Sequence, residues 1–336
     1  MTTFPVRDPA WSGRLDGEGP EHARWHQAVQ VVGADGHPAD AAQPHIALLG
    51  FRSDEGVRRN RGRVGAADGP AALRRALSPL ALHGPLARGE VGLHDLGDVE
   101  TIGEDLEGGQ EAAAVLTARG LDRPGSRLTV VLGGGHETAW SSYNGLISSG
   151  IGPSAGQRWG VLNLDAHFDL REEPRPTSGT PFAQMAVAEQ AAGRELTYAV
   201  LGIAEASNTG ALLAKAEQLG VRWWTDEQCL TAGTDGITRF VEEFAAELDV
   251  LYLTIDLDVL PAAVAPGVSA PAAYGVPLPL IGAAVRAAAR SGKLALLDVV
   301  ELNPSLDIDH RTARAAARLI DDAVRTVAAA PLTSPS

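Results

Sequence analysis

Six side chains in three short clusters have the types and spacing to hold a pair of divalent metal ions. They are His136 behind Gly133-Gly-Gly135, the run Asp165-Ala-His167-Phe-Asp169, and Asp256-Leu-Asp258. In an extended strand, side chains at i, i+2 and i+4 share one face. Asp165, His167 and Asp169 are therefore expected to point the same way, and so are Asp256 and Asp258. Each acidic cluster ends an apolar run, Gly160-Val-Leu-Asn-Leu164 or Val250-Leu-Tyr-Leu-Thr-Ile255. Carboxylates gathered at the ends of buried strands repel one another unless cations neutralise them. Four carboxylates and two imidazoles with no thiolate suit Mn²⁺ better than structural Zn²⁺. Two such ions, ~3.5–4 Å apart, depress the pKa of a shared water towards neutrality. The chemistry implied is hydrolysis at a resistant electrophilic carbon, with no serine or cysteine nucleophile required.

Taken singly, each cluster has an ordinary reading. Asp-x-His-x-Asp can be a solvated strand end with a satisfied histidine, and Asp256-Leu-Asp258 can start a turn. Leu132-Gly133-Gly-Gly135 resembles a phosphate-cradling loop, but His136-Glu137-Thr138 stands where Lys-Ser/Thr would follow, which argues against a nucleotide. The glycines instead let the chain turn sharply, so that His136 enters a crevice at a helix start. The coincidence of three clusters favours the metal site.

The elements that must position these residues are short apolar runs alternating with amphipathic segments. Strands are expected over 45–51, 128–132, 160–165, 196–202, 249–255 and 294–300. Helices are expected over 70–77, 111–119, 138–147, 181–191, 211–219, 237–247, 279–290 and 311–327. Strands apolar throughout and separated by helices imply a mainly parallel sheet covered on both faces, an α/β three-layer αβα sandwich. No linker or repeat interrupts the alternation, so 45–330 is read as one domain. Residues 1–44 are read as an irregular N-terminal arm and 331–336 as a frayed tail. Sites in such sheets form at the carboxyl ends of strands, where the acidic clusters lie.

Composition narrows the partners. The 336 residues are 45% hydrophobic and 21% charged, ordinary for a globular enzyme. A net charge of −14 argues against nucleic acid and against anionic membranes. No apolar stretch reaches the ~20 residues that cross a bilayer, and the first residues lack the apolar core of a signal peptide. One cysteine, Cys229, excludes an intrachain disulfide and fits a reducing cytoplasm, with the thiol read as a small buried apolar side chain. The partner expected is a small-molecule substrate.

The motifs also carry a resemblance. Gly133-Gly-Gly-His-Glu137, Asn163-Leu-Asp-Ala-His-Phe-Asp-Leu-Arg171, Thr254-Ile-Asp-Leu-Asp-Val-Leu260 and Glu301 in Asp298-Val-Val-Glu-Leu-Asn-Pro304 resemble, in order, those of the arginase/agmatinase ureohydrolases, over about residues 45 to 325. The resemblance implies an αβα sheet, two Mn²⁺ ions per subunit, a homo-oligomer (trimer or hexamer), and attack of a hydroxide on a guanidine or amidine carbon. His136, Asp165, Asp169 and Asp256 would hold or bridge one metal, and His167 and Asp258 would complete the other site. Asp169 would also pass the proton of the attacking water to the departing amine. Glu301, which on its own reads as a surface residue at a strand end, would hold the cationic nitrogens of the substrate.

One departure points to a branch of the family. Arginases and agmatinases carry a histidine in a Gly-x-x-x-His-Gly segment after the Asp-x-His-x-Asp motif, whereas this chain reads Arg175-Pro-Thr-Ser-Gly-Thr-Pro-Phe182. That segment, with 53–65 and 261–271, looks like the formimidoylglutamase branch. Its substrate, N-formimidoyl-L-glutamate, carries one amidinium and two carboxylates. Arg58, Arg59, Asn60, Arg61 and Arg171 offer donors for the carboxylates. The ordinary alternative is that these arginines cap a helix or pair with acidic neighbours. Thr177, Ser178 and Thr180 either donate to substrate oxygens or form turns. The implied reaction is hydrolysis to L-glutamate and formamide. Hydrolysis of another guanidino compound, a non-catalytic binding relative and a single-zinc deacetylase are the alternatives.

Overall fold

The apolar runs become strands of one sheet in a computed structural model that describes residues 11–33, 43–153 and 156–331. The strands are β1 (Val29–Val31), β2 (His45–Arg52), β3 (Gly92–Glu100), β4 (Ser126–Leu132), β5 (Trp159–Leu164), β6 (Tyr198–Ile203), β7 (Arg222–Thr225), β8 (Val250–Asp256) and β9 (Leu294–Val300). They lie in the order β1-β3-β2-β4-β9-β8-β5-β6-β7, and every pairing is parallel. Parallel neighbours need crossovers, and the helices supply them on both faces.

Side chains alternate between two apolar cores along each central strand. Ile46, Leu48, Val130, Leu132, Leu162, Leu164, Leu251, Leu253 and Ile255 pack on one face, under helices Gly69–Leu77, Asp226–Ala246, Leu278–Arg290 and Arg311–Ala329. Ala47, Leu49, Val131, Val161 and Tyr252 pack on the other, under Leu106–Asp122, Thr138–Ser148 and Pro181–Ala191. Burial on both faces explains why these strands read as unbroken apolar runs.

Three strands escape that signature, each for a physical reason. β1 and β7 are short edge strands with one neighbour each, so part of every residue faces away from the sheet. β3 is interior but polar, Gly92-Leu-His-Asp-Leu-Gly-Asp-Val-Glu100. Its carboxylates are neutralised by the buried Arg74, whose fork meets Asp95 at 2.8 and 2.9 Å and whose remaining nitrogen meets Asp98 at 2.6 Å. Part of the segment read as an irregular arm is likewise built in. Trp25 is fully buried, donates to Asp321 Oδ1 at 2.9 Å and stacks on Trp11, and β1 extends the sheet. Residues 1–10 and 34–42, and the tail beyond Pro331, lie outside the described residues.

At the amino end of the sheet, remote from the acidic clusters, the rings of His45 and His94 stack with centroids 4.5 Å apart, and both are buried. Burial, then His45 and Arg123, push His94 down to about 4, and burial lowers His45 as well. Both rings are therefore neutral in the fold, whereas in the unfolded chain they take up protons near the ordinary histidine value of ~6.5. This contribution to stability is complete above about pH 6.5. It falls as the pH drops towards 4, by up to about 1.4 kcal/mol per pH unit for His94. His94→Gln is expected to flatten the acid limb of a melting-temperature profile over that window; an unchanged slope would show that His94 does not set it.

Candidate metal centre

The four central strands β4, β9, β8 and β5 stand side by side, and each delivers a polar residue at its carboxyl end: His136, Glu301, Asp256 and Asp165. This is the crevice position expected of a parallel α/β sheet. The strands stop before most of the motif residues, which corrects the parity expectation. β5 ends at Leu164, so residues 165–167 form a bend, and β8 gives way to a 3₁₀ turn at Leu257–Val259. What aims the side chains is a pair of local hydrogen bonds. Asp165 Oδ1 accepts the His167 backbone N–H at 2.7 Å, and Asp256 Oδ1 accepts that of Asp258 at 2.8 Å. Each aspartate thus folds the chain back on itself two residues later. Asp169 and Glu301 have positive φ, 48° and 67°, a left-handed backbone that is strained for side-chain-bearing residues.

The six residues separate into two groups that share Asp165. His136, Asp165, Asp169 and Asp256 converge so that one atom from each lies within 4.8 Å of the others, and Asp165, His167 and Asp258 do the same. Asp165, His167 and Asp169 therefore do not act as one face: His167 and Asp169 belong to different groups. His136 Nδ1 stands 3.2, 3.0 and 3.1 Å from carboxylate oxygens of Asp165, Asp169 and Asp256, yet is aligned for a hydrogen bond with none of them. A buried ring nitrogen aimed between three carboxylates fits a metal ligand better than a hydrogen-bonding partner. His167 Nδ1 lies 3.0 Å from Asp258 Oδ2.

Electrostatics supports the same use. Burial, then Asp258 and Asp165, push Asp256 well above the usual carboxylate range, and Asp258 is raised in the same way. Glu301 is also buried and its backbone N–H donates to Gly134 O, while its Oε1 accepts from the His136 backbone N–H at 2.8 Å. Burial and the nearby Glu137 raise its carboxyl to about 8. The group of buried acids is short of positive charge, and divalent cations would supply it.

Several positioning residues carry no ligand signature. His136 Nε2 lies 3.1 Å from Thr254 Oγ1, and Thr254 stands opposite Asp298 in the β8–β9 register, where Asp298 accepts from Ser142 at 2.7 Å and from Tyr252. This chain holds the ring so that Nδ1 faces the carboxylates. Asn163 Nδ2 donates to Asp165 Oδ2 at 2.9 Å. Glu137 Oε1 accepts from Ser53 Oγ at 2.9 Å and Gly56 N–H at 3.0 Å. Their one sequence signal is a polar residue inside or beside a fully buried strand, where it must find a partner. The glycines before His136 serve close approach rather than unusual φ: a Cβ on Gly134 would stand 1.8 Å from Ser53 O.

The residues expected to receive carboxylates sort by whether their donors are free. Arg59 corrects the expectation, because all five of its N–H groups are engaged. They meet Glu55 Oε1, both oxygens of Glu107, Glu104 O and Pro176 O, at 2.8–3.1 Å. Arg58 pairs with Glu55 and Glu104. Thr180 closes its own turn: its Oγ1 accepts from Thr177 N–H and has Thr177 O at 3.0 Å and Gln184 Oε1 at 2.8 Å as the acceptors within reach of its single proton. Asn60 joins Arg171 and Ser178, accepting from Arg171 Nη1 at 2.9 Å and donating to Ser178 Oγ at 3.1 Å. Arg171 keeps most of its fork open, and Arg61 is exposed with no side-chain bond among the described residues. Segments 53–65 and 261–271 meet through Arg63, which donates to Ser269 O at 3.0 Å and Val268 O at 2.7 Å.

Known proteins resemble this chain in sequence and in fold. The arginase family model matches residues 44–325. A formimidoylglutamase of Rhodococcus opacus is 51% identical over 321 residues, 95% of this chain and 96% of that protein. One of Nocardia farcinica is 53% identical over 313 residues, 93% of this chain and 94% of that protein. Among solved structures, the formimidoylglutamase of Bacillus subtilis superposes with a TM-score of 0.80 at 23% identity, covering 97% of both chains. A Mn²⁺-containing formiminoglutamase of Trypanosoma cruzi superposes with a TM-score of 0.76 at 24% identity, covering 88% of this chain and 97% of that one. A family match across most of the chain, together with relatives above 50% identity over nearly its whole length, makes this chain a member of the arginase family.

Proposed function

We propose that the chain is a formimidoylglutamase: it hydrolyses N-formimidoyl-L-glutamate to L-glutamate and formamide, using two Mn²⁺ ions. The observation that carries the reading is the convergence of His136 Nδ1 with three carboxylates beside a second group that shares Asp165. The formimidoylglutamases at 51% and 53% identity support the choice of substrate.

His136, Asp165, Asp169 and Asp256 would hold one ion, and Asp165, His167 and Asp258 the other. Bound there, the ions supply a water acidified enough to attack at neutral pH and positive charge for the developing anion. The chain's own residues do the rest. Glu301, at the end of β9 beside His136, receives the amidinium of the substrate and orients its carbon. Asp169, the more accessible carboxylate of its group, takes the proton of the attacking water and returns it to the glutamate nitrogen. A C–O bond forms, the C–N bond to glutamate breaks, and the amine leaves protonated. Arg171, braced by Asn60, with Ser178 and Arg61, faces the substrate carboxylates in place of the wider set suggested by the sequence. Burial pushes the Cys229 thiol up to about 12, an inert group that suits a reducing cytoplasm. The family likeness also supports a homo-oligomer, trimer or hexamer, which light scattering on purified protein checks directly.

Three outcomes test the reading. Purified protein loaded with Mn²⁺ is expected to release L-glutamate and formamide from N-formimidoyl-L-glutamate, and to lose that activity on chelation. Urea from agmatine or guanidinobutyrate, with no glutamate from the formimidoyl substrate, would sink it. Asp258→Ala is expected to lower bound manganese from two ions to one by elemental analysis, with kcat falling at least about a hundredfold. Two tightly bound ions in that variant would remove Asp258 from the ligand set. Thr254→Val frees the His136 ring and is expected to weaken Mn²⁺ binding about ten- to a hundredfold in a titration, with the fold intact by circular dichroism.

A further inference from the structure

We infer that Arg59 is a positioning residue for substrate specificity: it fixes two loops against each other so that Asn60, Arg171 and Ser178 form one carboxylate-receiving wall. This rests on the proposed substrate, whose carboxylates that wall would meet. Arg59 lies on the short helix Glu55–Arg59, and its side chain is only 6% exposed. Its guanidinium reaches three separate segments: Glu55 of its own turn, Glu104 O and both oxygens of Glu107 at the start of helix Leu106–Asp122, and Pro176 O in the loop after the metal motif. No donor is left over for a ligand.

The geometry downstream depends on this clamp. Asn60 follows Arg59 immediately, and Ser178 lies two residues beyond Pro176. The Asn60–Ser178 bond at 3.1 Å therefore spans the seam that the Arg59–Pro176 bond at 3.1 Å closes. Asn60 in turn holds Arg171 Nη1, and the Arg171 backbone N–H donates to Gly179 O at 3.0 Å. The 175–180 segment, where arginases carry their extra histidine, is thus tied to the 55–60 turn at Arg59 and again at Asn60. A lysine at position 59 would keep the charge but not the planar fork, and cannot satisfy Glu55, Glu107 and two carbonyls together.

Arg59→Lys is the test, with Glu107→Gln as a milder variant that weakens the same clamp from the other side. With both proteins loaded with Mn²⁺, KM for N-formimidoyl-L-glutamate is expected to rise about tenfold in Arg59→Lys and less in Glu107→Gln, with kcat within about threefold of the parent. Manganese content should be unchanged, because no metal-holding group touches Arg59. Hydrogen exchange across 175–182 should quicken in both variants. An unchanged KM with unchanged exchange at 175–182, or a fall in kcat and metal content at constant KM, overturns the inference. If the parent protein itself releases no glutamate from the formimidoyl substrate, the functional reading falls separately. The exchange measurement then still decides whether Arg59 holds the 175–182 loop.

Discussion

His136 Nδ1 faces three buried carboxylates at 3.0–3.2 Å, and this crowding of like charge is the constraint on which the rest of the centre depends. Oxygens of Asp165, Asp169 and Asp256 lie within 4.8 Å of one another. At an effective dielectric of ~20, each pair of unit charges at that distance repels by about 3 kcal/mol. Three pairs together are comparable to the whole stability of a domain, about 5–15 kcal/mol. A protonated His136 offsets only part of this, and it would leave its own N–H unaligned with any acceptor. Divalent cations bound there would remove the repulsion and use the ring nitrogen at once. The stability of the crevice and its chemistry are thus one requirement.

The sheet order meets that requirement with little local machinery. β4, β9, β8 and β5 are far apart in sequence but adjacent in space, so four chain segments each contribute one to three groups without any long excursion. The terminal bend of each acidic strand is closed by the same aspartate that serves the centre, through its other carboxylate oxygen. Behind the first ring of groups, Thr254 and Asp298 stand opposite one another on β8 and β9, so the register of the two strands sets how the His136 ring is held. A shift of one residue would turn Thr254 away from the ring.

Against this geometry, the sequence proved legible where a signal was local or strictly periodic. Strands buried on both faces announce themselves as apolar runs, and the six centre residues stand at their ends. What was hidden depends on partners distant in the chain. β3 reads as polar because its carboxylates are matched by Arg74 from a helix 21 residues earlier. β1 and β7 are edges, whose half-exposed residues carry no clear period. The parity argument picked residues that the fold does bring together, but through the wrong local structure, because an aspartate that bonds the backbone two residues on ends the strand it was assumed to continue. Arg59 illustrates the same limit: Arg-Arg-Asn-Arg shows four donors, but only the fold reveals which are already engaged by Glu55, Glu107 and Pro176.

These distinctions separate two parts of the crevice. The clustered histidines and aspartates occupy strand ends locked into the sheet, where any shift would disturb two apolar cores. Arg59, Asn60 and Ser178 lie on 55–61 and 175–180, segments held by side-chain bonds rather than by the sheet. Glu137 links the two parts. It follows His136 directly and accepts from Ser53 and Gly56, so the turn carrying Asn60 is referenced to the loop that places the His136 ring. Gly134 and Gly135 permit that contact, since a side chain at either would collide with Ser53 or with Glu137 itself. The clustered residues are thus placed by the sheet, while the 55–61 and 175–180 segments are placed by a clamp of charged hydrogen bonds. Substitution in the clamp can therefore move those segments without disturbing the strand ends, because the two parts are held by different interactions.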